Sequence, residues 1–285
     1  MQGFEIGQIH PTAIISDKVK LSADVTIGAN VIIYDNVEIE EKVFVGPNSI
    51  LGEPLSGYYR DRDYENPQLL IGRGSILRAG AFLYAGSKIG EGFQCGTKVT
   101  IREGARLGHH CSVGSYSDLE GNCVIGDYVR LHSSVHIAQK TVIGSYVWVF
   151  PYTLFTNDPI PPSDEFVGAR VEDFAVIASK VVIMPGVNIG KDALVSAMSL
   201  VQTDVPAETV VAGNPAKKIG HIRYLRAKSN GSALYPWRYR FGRYMPWENA
   251  GYENWRRKKK SLEIPSESSE IGAGFDSEQT GEKVR

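Results

Sequence analysis

The chain has 285 residues, with 32 acidic and 31 basic side chains and a formal net charge of −1. So small a net charge gives no global electrostatic reason to expect binding to nucleic acid or to a membrane surface. The first residues lack the apolar core of a signal peptide, and no apolar stretch is long enough to span a bilayer. We therefore expect a cytoplasmic protein that does not insert into membranes.

A six-residue repeat of apolar residues begins at Ile9 and continues through most of the chain. It has 29 positions, with two interruptions, and none of the 29 is polar. The repeat positions are Ile9, Ile15, Leu21, Ile27, Ile33, Ile39, Val45, Leu51, Ile71, Leu77, Leu83, Ile89, Cys95, Ile101, Leu107, Val113, Leu119, Ile125, Leu131, Ile137, Ile143, Val149, Phe155, Val171, Ile177, Ile183, Ile189, Val195 and Val201. An α-helix cannot keep this register, because its period of 3.6 residues drifts away from a six-residue repeat within two turns.

The repeat predicts short strands that wind into a solenoid. The residue two before each repeat position is usually small or β-branched, which gives two inward side chains separated by one outward side chain, as in a strand. Three such strands make one triangular coil of eighteen residues. The 29 positions therefore predict an all-β solenoid, a parallel β-helix of about ten coils roughly 45 to 50 Å tall.

The three cysteines fall on inward positions of this pattern. Cys95 lies on the repeat, and Cys111 and Cys123 lie on the small inward positions. We interpret them as core residues, with no disulfide framework and no metal site.

Two interruptions of the repeat are candidates for function. Residues 52–70 contain a tyrosine- and arginine-rich segment, and residues 156–170 begin with Thr-Asn-Asp-Pro. A solenoid presents flat faces, so long loops are where a pocket can be built. Each loop can equally be a tolerated insertion, because lengthening a surface loop costs little free energy.

The composition changes after the repeat ends. We predict a β-helix domain over residues 1–220, a helical cap over 221–260 that begins with a short helix at His221–Lys228, and a disordered acidic tail over 261–285. Residues 235–260 interleave eight aromatic and eight basic residues, a pattern that can stack a nucleotide base or hold a diphosphate. We favour a cap that packs on the β-helix or on a neighbouring subunit over a nucleic-acid site.

Several segments resemble the left-handed β-helix, hexapeptide-repeat acyltransferases. Leu51-Gly-Glu, Ile71-Gly-Arg-Gly and Val135-His-Ile-Ala are similar to UDP-N-acetylglucosamine acyltransferase. Phe155-Thr-Asn-Asp-Pro, Val205-Pro-Ala and Ala212-Gly-Asn-Pro-Ala-Lys are similar to the acetyl-CoA-dependent branch, and the Thr-Asn-Asp-Pro turn to N-acyltransferases that act on nucleotide-linked amino sugars. The resemblance implies a left-handed coil, a homotrimer, a nucleotide-sugar substrate and acetyl-CoA or another acyl-CoA as co-substrate.

The chain departs from the family at two positions that carry histidine in O-acyltransferases. It has Gln139 three residues after His136, and Asn157 after the Tyr-Thr-Leu-Phe-Thr segment. Amide side chains do not accept a proton near neutral pH. Because an amine attacks a thioester with its own lone pair, fewer histidines are easier to reconcile with N-acylation than with O-acylation.

We therefore predict an N-acyltransferase in which His136 is the base, or only orients the substrate while the CoA thiolate takes the proton. Alternation directs His136 out of the coil, toward a cleft between subunits, and Asn157 is predicted to hold the acceptor group. The predicted substrate-binding residues are His132, Gln139, Asp158, Tyr58 and Arg60. The predicted CoA-binding residues, placed by the resemblance along the upper coils, are Ala178, Lys180, Ser196, Ala197, Lys217 and Lys218. His109 and His110 are interpreted as surface residues.

Other interpretations remain open. His136 can be an interface or solvent histidine without chemistry, and the lysines can be solvated charges. The alternative functions are O-acyl transfer to a sugar or UDP-N-acetylglucosamine-type acceptor, a γ-class carbonic-anhydrase-like enzyme with His132, His136 and His109 or His110 on a metal, and a non-catalytic scaffold. No metal is expected under the favoured interpretation.

Overall fold

The computed structural model describes residues 6–262, which form two compact units divided between Arg240 and Phe241. The first unit contains thirty short strands. The first ten are β1 (Ile14–Ile15), β2 (Lys20–Leu21), β3 (Thr26–Ile27), β4 (Ile32–Ile33), β5 (Val37–Ile39), β6 (Phe44–Val45), β7 (Ile50–Glu53), β8 (Leu69–Ile71), β9 (Ile76–Leu77) and β10 (Phe82–Tyr84). The next ten are β11 (Lys88–Ile89), β12 (Gln94–Cys95), β13 (Thr100–Ile101), β14 (Arg106–Leu107), β15 (Ser112–Val113), β16 (Asp118–Leu119), β17 (Val124–Ile125), β18 (Arg130–Leu131), β19 (His136–Ile137) and β20 (Val142–Ile143). The last ten are β21 (Trp148–Val149), β22 (Leu154–Phe155), β23 (Arg170–Val171), β24 (Val176–Ile177), β25 (Val182–Ile183), β26 (Asn188–Ile189), β27 (Leu194–Val195), β28 (Leu200–Val201), β29 (Thr209–Ala212) and β30 (Lys217–His221).

Three sheets form the walls of the coil. Wall 1 has ten strands from β1 to β28, wall 2 has nine from β2 to β26, and wall 3 has eleven from β3 to β30. From β1 to β28 every third strand belongs to the same wall, and neighbours pair in parallel. Ile125, Leu131 and Ile137 lie on walls 2, 3 and 1 in turn, as predicted. The predicted left-handed parallel β-helix of about ten coils is confirmed.

The six-residue repeat forms the core. Every repeat position from Ile27 to Val201 is buried, and so are the three cysteines. Burial raises the pKa of Cys95 to about 11 and those of Cys111 and Cys123 to about 12, so these thiols stay protonated. Three repeat positions at the start of the solenoid differ from the prediction. Ile9 is exposed, and Ile15 and Leu21 are only half-buried, because within residues 6–262 no earlier coil covers their side chains.

Both interruptions are loops that leave wall 1 and return at wall 2. The first runs from residue 54 to 68 and contains a 3₁₀ turn at Ser56–Tyr59. The second runs from 156 to 169, without a strand or helix. Each loop differs from the predicted bounds by at most two residues, because the pairing of β7 with β10 and of β8 with β5 extends slightly beyond the repeat.

The segment after the repeat is not the helix predicted for His221–Lys228. β30 pairs antiparallel with β29 and ends at His221, and a 3₁₀ turn follows at Ile222–Tyr224. A strand forms here because β29 leaves an open sheet edge, and Lys217–His221 satisfies its backbone groups. A second 3₁₀ turn, Trp237–Tyr239, also belongs to the first unit.

The Trp237–Tyr239 turn is attached to the corner between walls 2 and 3. The indole Nε1 of Trp237 donates a hydrogen bond to the backbone carbonyl of Phe174 at 2.8 Å. The guanidinium of Arg238 lies 4.5 Å from the centre of the Phe174 ring and forms an ion pair with Asp192, a side chain that is only 3% exposed. Burial raises the pKa of Asp192, and Arg238 opposes that shift.

In its described residues, 241–262, the second unit contains one helix, α1 (Tyr252–Leu262). Trp247 is buried and contacts Tyr252 and Trp255, with ring centres 5.0 and 5.2 Å away. Of the predicted helical cap over 221–260, only the stretch from Tyr252 onward is α-helical. The predicted disordered tail lies outside the described residues apart from Ser261 and Leu262, which belong to α1. Within residues 6–262, no helix has the length and apolar character needed to cross a membrane.

Candidate active site

The outer face of wall 1 carries the candidate site. β13, β16, β19 and β22 are neighbours in this wall, and their register places Thr100, Asp118, His136 and Leu154 in one outward row. The row forms because residues eighteen apart occupy equivalent positions on successive coils, and the residue before each repeat position points away from the core.

His136 lies between two carboxylates of the preceding coil. Its Nδ1 is 3.2 Å from Oδ2 of Asp118, and its Nε2 is 4.0 Å from Oε1 of Glu120. The side chain of His136 is 33% exposed, so solvent and substrate can reach it. The hydrogen bond with Asp118 raises the pKa of His136, burial opposes the shift, and the negative charge of Glu120 adds to it.

This geometry prepares His136 to accept a proton. When Nδ1–H donates to the Asp118 carboxylate, the neutral imidazole carries its lone pair on Nε2. The carboxylate also stabilises the imidazolium that forms after proton transfer. The pair can therefore act as an oriented base at the surface of wall 1.

Gln139 and Asn157 lie at the corner that follows wall 1, on consecutive coils. The backbone N–H of Gln139 donates to Oε2 of Glu120 at 3.0 Å. The carbonyl of Asn157 accepts from the N–H of Val167 at 2.7 Å, a bond that closes the second loop. Gln139 therefore follows β19 and Asn157 follows β22, the strand that pairs with β19.

Asp158 is engaged within its own loop. Its carboxylate accepts from the N–H of Ile160 at 3.1 Å, from the N–H of Ser163 at 2.9 Å and from Oγ of Ser163 at 2.7 Å. The bonds from Ser163 lower the pKa of Asp158, so the group stays ionised. These contacts hold the loop in shape beside the site and leave little free capacity for a substrate hydrogen bond.

His132 belongs to wall 3 and has no contact with His136. Its ring stacks on Phe150, with centres 4.5 Å apart and planes 14° apart, and burial lowers its pKa. His132 is therefore a neutral, half-buried ring in an aromatic cluster on the other side of the corner. His109 and His110 are exposed, as predicted.

Tyr58 and Arg60 line a separate cavity of about 410 Å³ in the first loop, with Tyr59, Asp61, Arg62 and Tyr64. The Tyr58 ring makes edge contacts with Tyr34 and Tyr64, at 6.1 and 6.0 Å between centres. The loop leaves wall 1 at β7, four strands from β19. That separation is roughly 19 Å along the coil axis, so this chain does not place β7 beside His136.

The predicted CoA-binding residues lie together on the last coils. Ala178 and Ser196 follow the paired strands β24 and β27, and Lys217 and Lys218 pair with Ala212 and Val211 on the next strand of wall 3. Lys180 and Ala197 lie in the turns between walls 3 and 1. The three lysines of this set are exposed.

A metal site has no support in the described part of the chain. Residues 6–262 contain no group of three or more His, Cys, Asp or Glu side chains positioned to bind a metal ion. The alternative of a carbonic-anhydrase-like centre needs His132, His136 and either His109 or His110 on one metal ion. His132 follows a strand of wall 3 and His136 lies on wall 1, so this alternative is not favoured.

Asp118 and Glu120 are the two residues of the site that the sequence analysis missed. Asp118 could have been predicted from spacing, because it precedes His136 by eighteen residues and so occupies the same position one coil earlier.

Comparison with known proteins supports the prediction that this chain is an acyltransferase. No family model matches the chain. It is 26% identical over 200 residues to the bifunctional protein GlmU of Stutzerimonas stutzeri, a match that covers 69% of this chain and 39% of that protein. It is 26% identical over 179 residues to a chloramphenicol acetyltransferase of Agrobacterium fabrum, covering 58% of this chain and 73% of that one.

A shorter match is closer in sequence. Over 49 residues the chain is 53% identical to 2,3,4,5-tetrahydropyridine-2,6-dicarboxylate N-acetyltransferase of Staphylococcus aureus, covering 17% of this chain and 20% of that enzyme. Among solved structures, UDP-N-acetylglucosamine acyltransferase of Arabidopsis has the same fold, with a TM-score of 0.63 and 21% identity over 75% of this chain and 74% of that chain. The chain thus resembles the hexapeptide-repeat, left-handed β-helix acyltransferases, and these relatives support the prediction of an acyltransferase.

Proposed function

We propose that this protein is an acyl-CoA-dependent N-acyltransferase that transfers an acetyl or short acyl group to the amine of a nucleotide-linked amino sugar. The proposal rests above all on the hydrogen bond between His136 and Asp118, which provides an oriented base on an accessible face. The amides at Gln139 and Asn157 support an amine acceptor, since no second histidine stands beside this base. The acyltransferases among the relatives supply the reaction class.

The reaction follows from this arrangement. An ammonium group of the acceptor gives one proton to Nε2 of His136, and the resulting amine attacks the thioester carbonyl carbon. The C–S bond then breaks as the amide forms, and the thiolate takes the second proton from nitrogen. Backbone N–H groups near the coil corner are suited to stabilise the oxyanion. Asn157 holds the acceptor sugar beside the base.

The donor and the assembly are part of the same proposal. Acyl-CoA lies along the last coils, with its pantetheine against Ala178, Ser196 and Ala197, and its phosphates near Lys180, Lys217 and Lys218. Three copies assemble so that wall 1 of one chain faces its neighbour. In such a trimer the nucleotide of the substrate would be bound by Tyr58, Arg60 and His132. These residues would belong to a coil or a subunit other than the one that carries His136. Light scattering after size-exclusion chromatography would test the trimer.

The test is a screen of acyl-CoA thioesters against nucleotide-linked amino sugars and their hydroxyl counterparts, with release of free thiol as the readout. With the amine acceptor found, His136→Gln is expected to lower kcat/KM by about 10² to 10⁴, the usual contribution of a general base. His110→Gln, a matched change at an exposed histidine, serves as the control. A loss below about 10-fold in His136→Gln would exclude the base role. Transfer to hydroxyl acceptors alone would replace N-acylation with O-acylation.

A further inference from the structure

We propose that Glu120 is the residue that binds the acceptor's ammonium group and selects amines over hydroxyls; this inference rests on the proposed function and names the chemistry of the same site. Glu120 directly follows the wall 1 strand β16, two residues after Asp118, and its side chain is 32% exposed. It therefore faces the same solvent-accessible space as His136.

The two oxygens of Glu120 have different surroundings. Oε2 accepts the backbone N–H of Gln139 at 3.0 Å, which fixes the orientation of the carboxylate. Oε1 lies 4.0 Å from Nε2 of His136, beyond direct hydrogen-bond distance. Asp118 contacts the other ring nitrogen, with its Oδ2 3.2 Å from Nδ1, so Glu120 is the carboxylate on the Nε2 side of the ring. A single acceptor oxygen thus points toward the nitrogen that takes the proton.

The separation of these two atoms matches an ammonium group. A nitrogen about 2.8 Å from both Oε1 and Nε2 would direct two N–H bonds that differ by roughly 90°, which is near the tetrahedral angle. An ammonium group has three N–H donors and can satisfy both acceptors together. A hydroxyl has one donor and leaves one acceptor unsatisfied, which costs affinity.

The local charge also favours a cation. Among residues 6–262, neither Asp118 nor Glu120 forms an ion pair with lysine or arginine. Arg102, directly after the neighbouring strand β13, is held by both carboxylate oxygens of Glu103 at 3.0 Å. Two carboxylates therefore face one histidine, and with a neutral imidazole the site carries negative charge that an ammonium group compensates.

Glu120 keeps a role after proton transfer. Once one proton has moved to Nε2, the neutral amine still donates an N–H to Oε1 while its lone pair turns toward the thioester. Glu120 therefore holds the nucleophile and does not take its proton. Its removal should raise KM for the amine more than it lowers kcat, the reverse of the pattern expected for the base.

The first experiment measures ammonium binding without any turnover. Methylammonium is titrated into the protein while the His136 ring signals are followed by NMR, and tetramethylammonium, which has the charge but no N–H, is the matched probe. We expect a saturable shift with methylammonium only, weakened roughly 10-fold or more in Glu120→Gln. Glu38→Gln, the same charge change on wall 2, should leave the titration unchanged. Equal shifts from both cations, or an unchanged titration in Glu120→Gln, would overturn the inference.

The second experiment separates this inference from the proposed function. With the amine acceptor identified in the screen, Glu120→Gln should raise KM roughly 10- to 100-fold while transfer to a hydroxyl counterpart changes less than about 3-fold. Amine acylation with an unchanged KM in Glu120→Gln would leave the proposed function standing and remove the role of Glu120. Selective methylammonium binding without acyl transfer to any amine in the screen would retain the ammonium site and remove the proposed reaction.

Discussion

Asp118 and His136 lie directly opposite each other on adjacent strands of wall 1, eighteen residues apart, with Oδ2 and Nδ1 separated by 3.2 Å. The contact follows from the helical repeat, since one complete coil separates the two residues in sequence. It explains why His136 differs from His132. His132 is stacked among aromatic rings with a lowered pKa, whereas His136 has a carboxylate partner and a raised pKa.

The pH dependence of acyl transfer should report the Asp118–His136 pair. His136 must be neutral to accept a proton, so kcat/KM should rise with pH and level off above the folded-state pKa, which lies above 6.5. Asp118→Asn removes the main cause of the raised pKa. The rising limb should therefore move to lower pH, and the plateau of kcat/KM should fall by at least about 10-fold. Asp17→Asn, an exposed aspartate on the first coil, is the control.

The Asp118–His136 pair should stabilise the folded protein more at low pH than at high pH, whereas acyl transfer should increase with pH. Because the pKa of His136 is raised in the folded state, its contribution to stability is complete below the unfolded value of 6.5 and is lost as pH rises through the folded pKa. Urea unfolding of the wild type between pH 5 and pH 9 should show this loss, against a flatter curve for Asp118→Asn. Parallel curves for the two proteins would show that the pair does not perturb the pKa of His136.

The ion pair between Arg238 and Asp192 should be essential for the attachment of the Trp237–Tyr239 turn. Arg238→Met would leave a carboxylate that is only 3% exposed without its partner, at an expected cost of about 3 to 5 kcal/mol in the free energy of unfolding. Adding Asp192→Asn should recover part of that loss, because the uncompensated charge is gone. Urea titrations of the single and double variants test this. A double variant no more stable than Arg238→Met would contradict the explanation.

Alternation along β22 can be tested with two neighbouring residues. Phe155 is fully buried on the inner face, whereas Leu154 is 39% exposed on the outer face. Phe155→Ala should lower the free energy of unfolding by about 3 to 5 kcal/mol, because it creates a cavity in the core. Leu154→Ala should cost less than about 1.5 kcal/mol. Equal losses in chemical denaturation would mean that the strand does not present these residues to opposite faces.

Successive coils pack closely at the corner that contains Gly114, so adding a side chain there should destabilise the protein. A Cβ atom there would lie 2.4 Å from the carbonyl carbon of His132 in the next coil, and backbone atoms cannot move aside cheaply. Gly114→Ala should destabilise the protein by about 2 kcal/mol or more. Gly220→Ala is the matched control, because no atom lies within 4 Å of its added Cβ. Thermal unfolding that ranks the two variants in the other order would contradict the tight coil contact.

Most of the fold could be predicted from the repeat, and the errors have physical causes. The period of six excluded helices and placed Ile125, Leu131 and Ile137 on three different walls. The pattern could not show that Ile9 is exposed, because burial of a repeat position depends on contacts with the neighbouring coils. It also misassigned the segment from His221, since that choice depended on the open edge of β29 and not on local propensity.

The candidate site was only partly accessible to the same reasoning. The outward direction of His136 could be predicted from alternation along its strand. The carboxylates around His136 required the register of wall 1 together with side-chain directions, and the loop contacts of Asp158 required the folded loop.

The amino-acid sequence by itself determined a three-walled coil, because a six-residue apolar period matches short strands joined by turns and not the 3.6-residue period of an α-helix. Only the tertiary structure decided what surrounds each outward side chain: whether His136 meets Asp118 and Glu120, and whether Arg238 reaches Asp192 from 46 residues away. The difference is physical, since burial of a regular pattern is a local, repeated preference. A hydrogen bond between polar side chains depends on distances of a few tenths of an ångström that only the packed chain establishes.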